Sequence, residues 1–277
     1  MNAMAVATAS PRGACVQRGA LRARKPAGIN LAGILFIISA PSGSGKSTLV
    51  SELRRQIGGI DFAISWTTRP PRGSEQDGRE YHFTTHAEFE RMIQAGEFLE
   101  HAEVFANLYG TSRRSLDEAW AAGHDLLLDI DVQGAAQVRA RMPEAVSIFV
   151  LPPTPKELRT RLRNRARAEG VLNESELYRR LSEASREIEK YREYSYILVN
   201  DSLPRAVAQL EAIVQAERFY RNDELIAHRS SRVLEVAAAC RLSNSRERLK
   251  PVLDAFGING ASGQQTKLPF EEDPDDD

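Results

Sequence analysis

The stretch from Ala40 to Thr48, which reads APSGSGKST, decides how this 277-residue chain is interpreted. It follows an apolar, β-branched run at Ile34–Ile38 and leads into a helix-compatible segment at Leu49–Ile57. A strand, a glycine-containing turn and a helix start, in this order, are typical of a phosphate-binding loop, where backbone N–H groups and the helix N-terminus face an anion. The sequence therefore predicts a nucleotide-handling protein. The alternative is a glycine-rich strand-to-helix turn that binds no ligand.

Within this loop, we expect Lys46 to reach the β- and γ-phosphates of a nucleotide and the Ser47 hydroxyl to lie on Mg²⁺. The usual pattern has glycine six residues before the lysine, where this chain has Ala40. That replacement costs little if the residue keeps a negative φ, because only positive φ strongly favours glycine. The predicted ATP-binding loop consists of Ala40, Pro41, Ser42, Gly43, Ser44, Gly45, Lys46, Ser47 and Thr48.

Composition is that of a globular protein, with 42% apolar and 27% charged residues. The net charge of −1 favours neither a nucleic-acid partner nor a membrane surface, and no apolar run approaches the length of a membrane span. The two cysteines, Cys15 and Cys240, form no ligand cluster, and none of the five histidines has metal-ligand spacing. We expect a reducing, cytoplasmic location, and both a monomer and a homo-oligomer stay open.

The two ends of the chain differ in charge from its middle. No acidic residue precedes Glu52, so residues 1–32 form a basic and, we expect, disordered extension. An organelle transit peptide, a bacterial extension and a wrongly chosen start codon are all compatible with this pattern. Residues 221–277 form a C-terminal extension of unknown role, in which two apolar groups (Leu234–Ala238 and Leu249–Phe256) predict one or two short helices. Six acids in the last seven residues predict a solvated tail.

Between these ends, apolar runs alternate with helical patterns. Runs at 34–39, 126–130, 146–151 and 196–199 are typical of strands buried on both faces of a parallel sheet. Helical spacing of apolar residues at 175–194 and 205–220 predicts helices that pack against that sheet. The expected fold class is therefore α/β, a parallel β-sheet flanked by helices. Residues 60–112 break this rhythm and predict a small mixed insertion, which a second substrate beside the nucleotide would explain.

Five further motifs, in order, resemble the guanylate kinase family. They are Ser65–Gly73 (SWTTRPPRG), Gly78–Phe83 (GREYHF), Glu97–Ala102 (EFLEHA), Asn107–Thr111 (NLYGT) and Leu128–Gly134 (LDIDVQG). The resemblance covers roughly residues 33–220 and implies a P-loop kinase core at 33–60, 113–158 and 181–220. It also implies a GMP-binding insertion at 61–112 and a helical lid at 159–180. The implied activity is Mg²⁺-dependent transfer of the γ-phosphate of ATP to GMP and dGMP, in purine nucleotide metabolism and GMP recycling.

The resemblance assigns the acceptor site. Arg69 and Arg72 are three residues apart, so that both guanidiniums could converge on one phosphate, and Tyr81 and Tyr109 would add neutral hydroxyl donors. Glu100 would accept two parallel hydrogen bonds from the ring N–H and the amino group of guanine, whereas adenine offers an unprotonated nitrogen there. The implied GMP-binding residues are Ser65, Arg69, Arg72, Tyr81, Glu100, Tyr109, Thr111 and Asp131.

On the donor side, Asp129 ends a buried strand and would support Mg²⁺ together with Ser47, although capping of the next turn by Asp129 and Asp131 is the structural alternative. The resemblance places lid arginines at Arg165 and Arg180, which act with Lys46, and an asparagine, Asn200, near the adenine. The gap between the two arginines is about four residues longer than in the family, so Arg163 and Arg167 are alternatives.

Two other functions share this scaffold. A kinase that acts on a phosphorylated ribose would lack the guanine-facing glutamate and the Tyr/Arg phosphate cluster, and both are present in this chain. A catalytically silent peptide-binding domain would have lost the loop lysine, and Lys46 is intact. Both are therefore weaker predictions than a guanylate kinase.

Overall fold

The computed structural model describes residues 33–104, 106–168, 173–222 and 230–258. The chain separates into two units, residues 1–31 and residues 32–277, and every described residue belongs to the second. The predicted N-terminal extension, the acidic tail and residues 169–172 of the predicted lid lie outside the described residues.

A parallel sheet forms the centre of the second unit. Its strands are β1 (Leu35–Ser39), β2 (Ile60–Phe62), β7 (Asp125–Asp129), β8 (Val146–Leu151) and β9 (Tyr196–Val199), in the spatial order β2-β7-β1-β8-β9. Every pairing between neighbours is parallel. The four strands predicted from apolar runs are confirmed to within one residue at their ends. The three-residue strand β2 carries too short a pattern to be predicted.

Helices cover both faces of this sheet. They are α1 (Lys46–Gln56), α3 (Arg113–Ala121), α4 (Val132–Arg141), α5 (Pro155–Ala168), α6 (Glu174–Glu189), α7 (Leu203–Arg221), α8 (Ser231–Cys240) and α9 (Arg246–Ala255). Alternate residues of β1 divide the core, because Phe36 and Ile38 pack with α1, α7 and α8 while Leu35 and Ile37 pack with α3 to α6 and α9. The predicted α/β fold class, with strands buried on both faces, is confirmed.

A second, smaller sheet lies within the predicted insertion. It contains β3 (Trp66–Thr67), β4 (His82–Phe83), β5 (Phe98–Val104) and β6 (Asn107–Ser112), in the order β4-β3-β6-β5. Helix α2 (His86–Gln94) packs Phe89 and Met92 against Phe98 of this sheet. The prediction began the insertion at residue 61, but Asp61 and Phe62 pair with β7 of the parallel sheet, so the inserted module starts after Phe62.

The C-terminal segment forms the two short helices that its apolar groups predict. Ala237 and Cys240 of α8 and Leu249 and Leu253 of α9 are buried in the two halves of the core. Among the described residues, no helix is both long and apolar enough to cross a membrane.

Candidate active site

The carboxyl ends of the parallel strands bring the chemically active segments together. The Ala40–Gly45 loop follows β1, Asp129 is the last residue of β7, and Asn200 follows β9. β1 lies between β7 and β8, so the chain continues the sheet on opposite sides of β1. The place where the strand order reverses in this way is a topological switch point, and ligands of open α/β sheets bind there.

The loop has the backbone geometry that its glycines allow. Gly43 and Gly45 both have φ of 85°, in the left-handed region, and Gly45 directly precedes helix α1. The Ser44 N–H donates to the Pro41 carbonyl at 3.1 Å, which closes the turn. Helix α1 has no side-chain cap at its N-terminus, so that its first N–H groups are suited to an anion.

Ala40 fits where the usual pattern has glycine. It does not have a positive φ, and its side chain is buried in the core beside Ile38 and Leu49. The condition under which alanine costs little is therefore met, and the methyl group adds packing to the core.

Two residues from other elements hold the loop. Asn200 donates its side-chain amide to the Ser44 carbonyl at 2.8 Å, and Arg161 of α5 donates to the same carbonyl at 3.0 Å. Arg161 also donates to the Asn200 carbonyl at 3.2 Å. Asn200 is only 5% exposed, and in this structure its side chain supports the loop through the Ser44 carbonyl. Its predicted place near the adenine stays a prediction.

Lys46 and Asp129 form the closest ion pair of the site. The Lys46 Nζ lies 2.5 Å from the Asp129 carboxylate and donates to the Ile130 carbonyl at 3.0 Å. Burial acts to lower the pKa of Lys46, but the charge and hydrogen bond of Asp129 outweigh it, and the net pKa is raised. Lys46 therefore stays protonated and positioned at the edge of the loop.

A cavity of about 480 Å³ connects the loop with the small sheet and the helical lid. Most predicted site residues line it: Ala40, Pro41, Ser42, Gly43, Ser44, Gly45, Lys46, Ser47, Thr48, Ser65, Arg72, Tyr81, Glu100, Tyr109, Asp129, Asp131, Arg165 and Arg180. Three predicted residues, Arg69, Thr111 and Asn200, are not among the lining residues. The structure thus brings residues from distant parts of the sequence to one place.

Glu100 is the most buried acid of the cavity, at 3% exposure. It lies on β5 opposite Thr111 of β6, whose hydroxyl donates to its carboxylate at 2.7 Å. The Ser65 hydroxyl lies 3.5 Å from the Thr111 hydroxyl. Burial raises the pKa of Glu100 to about 7, the charge of Asp131 adds to the rise, and Lys46 opposes it.

Asp131 has the capping role weighed from the sequence, and its role in binding stays a prediction. Its carboxylate accepts the Gly134 N–H at 2.8 Å and so caps helix α4, and it also lines the cavity.

The two predicted phosphate arginines are placed differently. Arg72 lines the cavity, whereas Arg69 is 6% exposed and pairs with both carboxylate oxygens of Glu75, at 2.9 and 3.1 Å. The guanidinium of Arg69 also lies 5.2 Å from the ring centre of Tyr81. The two guanidiniums do not both line the cavity in this structure, and their convergence on one phosphate stays a prediction.

The lid arginines separate into two groups. Arg165 of α5 and Arg180 of α6 line the cavity, and Arg180 donates to Glu176 at 3.0 Å. Arg163 and Arg167 are not among the lining residues, and Arg163 lies 4.0 Å from Glu174. This placement favours Arg165 and Arg180 over the two alternatives.

Sequence patterns did not single out Arg161, Glu183 and Glu187, which also line the cavity. Burial raises the pKa of Glu187 to about 7, a rise that Lys46 opposes. Glu187 lies one helical turn after Glu183 on α6, a spacing that is also common on solvated helix faces. Only the fold shows that this face of α6 meets the phosphate loop.

Comparison with known proteins gives one consistent match. A family model described as guanylate kinase matches residues 33–217. The chain is 53% identical to a guanylate kinase of Koribacter versatilis over 226 residues, which is 82% of this chain and 97% of that protein. It is 47% identical to a guanylate kinase of Alkalilimnicola ehrlichii over 197 residues, 70% of this chain and 95% of that one.

Among solved structures, a guanylate kinase from Anaplasma phagocytophilum matches with a TM-score of 0.57 and 28% identity, over 83% of this chain and 97% of that chain.

Proposed function

The chain belongs to the guanylate kinase family, and on that premise we propose that it transfers the γ-phosphate of ATP to GMP and dGMP, giving ADP and the guanosine diphosphate. One observation carries the choice of acceptor: a buried carboxylate, Glu100, lies in the same cavity as the phosphate loop and Lys46. The reaction belongs to purine nucleotide metabolism, where it returns GMP to the diphosphate.

Glu100 reads the guanine base. Its ionised carboxylate accepts hydrogen bonds from the ring N–H and the amino group, and the Thr111 hydroxyl keeps it in place. A buried carboxylate without such donors is costly, so adenine leaves it unpaired and is rejected. Ser65 and Asp131, which also line the cavity, complete the surroundings of the base.

The acceptor phosphate lies among Arg72, Tyr81 and Tyr109. These side chains provide one charged planar donor and two hydroxyl donors, which suits a phosphate monoester dianion. Arg69 joins them when its guanidinium exchanges Glu75 for the phosphate, a change that keeps it paired with an anion.

ATP places its phosphates on the loop from Ala40 to Thr48, at the N-terminus of α1. Lys46 then exchanges Asp129 for the phosphates, and Arg165 and Arg180 of the lid stabilise the charge on the group in transit. Asn200 contributes by donating a hydrogen bond to the Ser44 carbonyl of the loop, which holds the loop in place.

Mg²⁺ fits the residues at this edge of the loop. Ser47 and Asp129 both line the cavity and would hold the ion, and among the described residues no group of three or more His, Cys, Asp and Glu side chains forms a cation cage. That donor set suits Mg²⁺, which proteins hold with one or two side-chain oxygens while substrate phosphates and waters complete its coordination. When bound, Mg²⁺ neutralises charge on the β- and γ-phosphates.

The chemical step needs no covalent intermediate with the protein. An oxygen of the GMP phosphate forms a bond to the γ-phosphorus as the bond from that phosphorus to the bridging oxygen of ADP breaks. The acceptor is already anionic at neutral pH, so no general base is required. The residues of this chain therefore act by aligning two anions and by excluding water.

The remaining assignments are part of the proposal. They comprise a GMP-binding module that begins after Phe62 and extends to residue 112, a lid at 159–180, a cytoplasmic location, and no nucleic-acid or membrane partner.

A steady-state assay of ATP consumption tests the activity. With Mg²⁺ present, GMP and dGMP should support turnover, whereas AMP, UMP and CMP should not, because only guanine presents two donors to Glu100. Equal turnover with all five acceptors, or none with GMP, would contradict the proposal. Omission of Mg²⁺ should abolish the activity with GMP.

A further inference from the structure

The missing side chain of Gly134 lies directly against the carboxylate of Glu100. A Cβ at Gly134 would lie 2.3 Å from one carboxylate oxygen of Glu100, 2.9 Å from its carboxyl carbon and 3.3 Å from the Asp131 carboxylate. Atoms cannot approach that closely, so any residue other than glycine at this position would have to move Glu100.

Glycine is not needed here for the backbone. Gly134 is in the first turn of helix α4, its φ is not positive, and it is buried. Alanine is more favourable than glycine in a helix, so by local preference alone an alanine would stabilise this one. The requirement for glycine therefore comes from the space around it.

The Glu100 carboxylate cannot yield to a methyl group without loss. Thr111 holds one carboxylate oxygen at 2.7 Å, and the main chain of Glu100 is fixed in β5 beside an irregularity of the β5–β6 register. The backbone N–H of Gly134 meanwhile donates to Asp131 at 2.8 Å. Gly134 thus provides a donor to Asp131 and empty space for the carboxylate of Glu100.

We propose that Gly134 is a specificity-determining positioning residue, whose lack of a side chain lets the Glu100 carboxylate take the position from which it reads guanine. This inference rests on the proposed function, because it assumes that Glu100 contacts the base. It assigns to α4, a helix of the kinase core, a part in selecting the base.

Gly134→Ala tests the inference, with Gly58→Ala as the matched control. Gly58 also lacks a positive φ, and a Cβ there meets nothing within 4 Å. We expect Gly134→Ala to raise KM for GMP by about a hundredfold, the scale that a 1 Å misplacement of a positioning group costs. The KM for ATP and the kinetics of Gly58→Ala should stay at wild-type values.

Inosine monophosphate separates a displaced carboxylate from general damage, because its base keeps the ring N–H but lacks the amino group. A displaced Glu100 no longer pairs with both donors, so the ratio of kcat/KM for GMP over inosine monophosphate should fall in Gly134→Ala. Glu100→Asp shortens the acid by one methylene and should partly offset the clash, so that the double variant loses less than the two single losses combined.

Wild-type KM and selectivity in Gly134→Ala would overturn the inference while leaving the proposed function intact. A wild-type enzyme without GMP activity would instead remove the proposed function itself. If Gly134→Ala does not fold, a folded Glu100→Asp/Gly134→Ala double variant supports the same clash, and an unfolded one contradicts it.

Discussion

Burial of the Glu100 carboxylate costs the folded protein free energy, and the proposed recognition of guanine would use this same carboxylate. Burial at 3% exposure disfavours its charged form, and hydrogen bonds from Thr111 offset only part of that cost. In the proposed complex a guanine edge would supply further donors, so binding of GMP should stabilise the carboxylate and lower its pKa. The same residue therefore links base recognition to pH.

The pH dependence of GMP affinity follows from this link. Burial raises the pKa of Glu100 to about 7 in the unliganded protein, so a growing share of the protein carries a neutral Glu100 as the pH falls below that value. GMP affinity should then weaken by up to about tenfold per pH unit below pH 7 and level off above it. Isothermal titration with GMP between pH 6 and pH 8 measures this.

Glu100→Gln is the control, because the GMP phosphate itself titrates near pH 6 and contributes to both proteins. An identical pH dependence in wild type and Glu100→Gln would contradict the role of the carboxyl group.

Stability should respond in the opposite sense. The folded pKa of Glu100 is raised above its ordinary value of 4.5, so this carboxyl group costs nothing when both states are protonated and destabilises the fold as the pH rises through 7. In the absence of nucleotide, Glu100→Gln should exceed wild type in unfolding free energy by about 3 kcal/mol at pH 8. Urea unfolding should show the difference disappearing near pH 4.5, and a difference that grows toward acid would contradict it.

In helix α5 of the proposed lid, the sequence provides the arginines, and only the packing of the helix determines which of them face the cavity. The sequence provides five arginines in nine residues of α5 but does not show which of them face the cavity. Their side chains lie on different sides of the helix, and only packing determines which side faces inward. Leu158 and Leu162 are fully buried against the sheet, which fixes the rotation of α5 and turns Arg161 and Arg165 toward the cavity. The same limit applies to Glu187 of α6, because only the packing of that helix shows that this side chain faces the cavity.

Arg165→Met should therefore lower kcat for GMP phosphorylation by roughly 10²–10³, the usual cost of removing one group that stabilises charge in the transition state. Arg167→Met is the matched control, since Arg167 is exposed on the same helix and is not among the residues that line the cavity. Its kcat should stay near that of wild type. A larger loss in Arg167→Met than in Arg165→Met would restore the alternative assignment.

Over the whole molecule, the C-terminal segment completes the sheet edge. β9 is an edge strand. The Ile197 carbonyl of β9 accepts from the Arg248 guanidinium at 2.9 Å, and the carbonyl of Ser195, which directly precedes β9, accepts from the Leu242 N–H at 2.9 Å. An unpaired edge invites association with other chains, and these contacts cover it. This part of the chain lies beyond the family match at residues 33–217.

Leu249→Ala should consequently lower the unfolding free energy by about 2–5 kcal/mol, because it removes a core side chain that is 1% exposed. Lys250→Ala, at an exposed neighbour on α9, should change stability little. Both variants should keep wild-type KM values for ATP and GMP, since neither residue lines the cavity. Urea unfolding with steady-state kinetics measures both, and a raised KM for GMP in Leu249→Ala would assign this segment a part in the site.

The sequence allowed much of this molecule to be predicted, for identifiable physical reasons. Buried parallel strands are continuous apolar runs, and a phosphate loop needs glycine, lysine and serine at fixed spacing, so both are local patterns. What sequence could not supply are contacts between distant segments, such as Asn200 on the Ser44 carbonyl and Gly134 against Glu100. Each pairs residues whose separation along the chain has no fixed rule.

The ratio of kcat/KM for GMP over that for AMP, compared between wild type and Glu100→Gln at pH 8, measures whether the Glu100 carboxylate selects guanine. A glutamine amide can donate to the unprotonated ring nitrogen of adenine and cannot accept both guanine donors. The ratio should therefore fall by about two orders of magnitude or more, while KM for ATP stays unchanged. Equal losses for GMP and ATP, with the ratio unaltered, would show that Glu100 does not read the base.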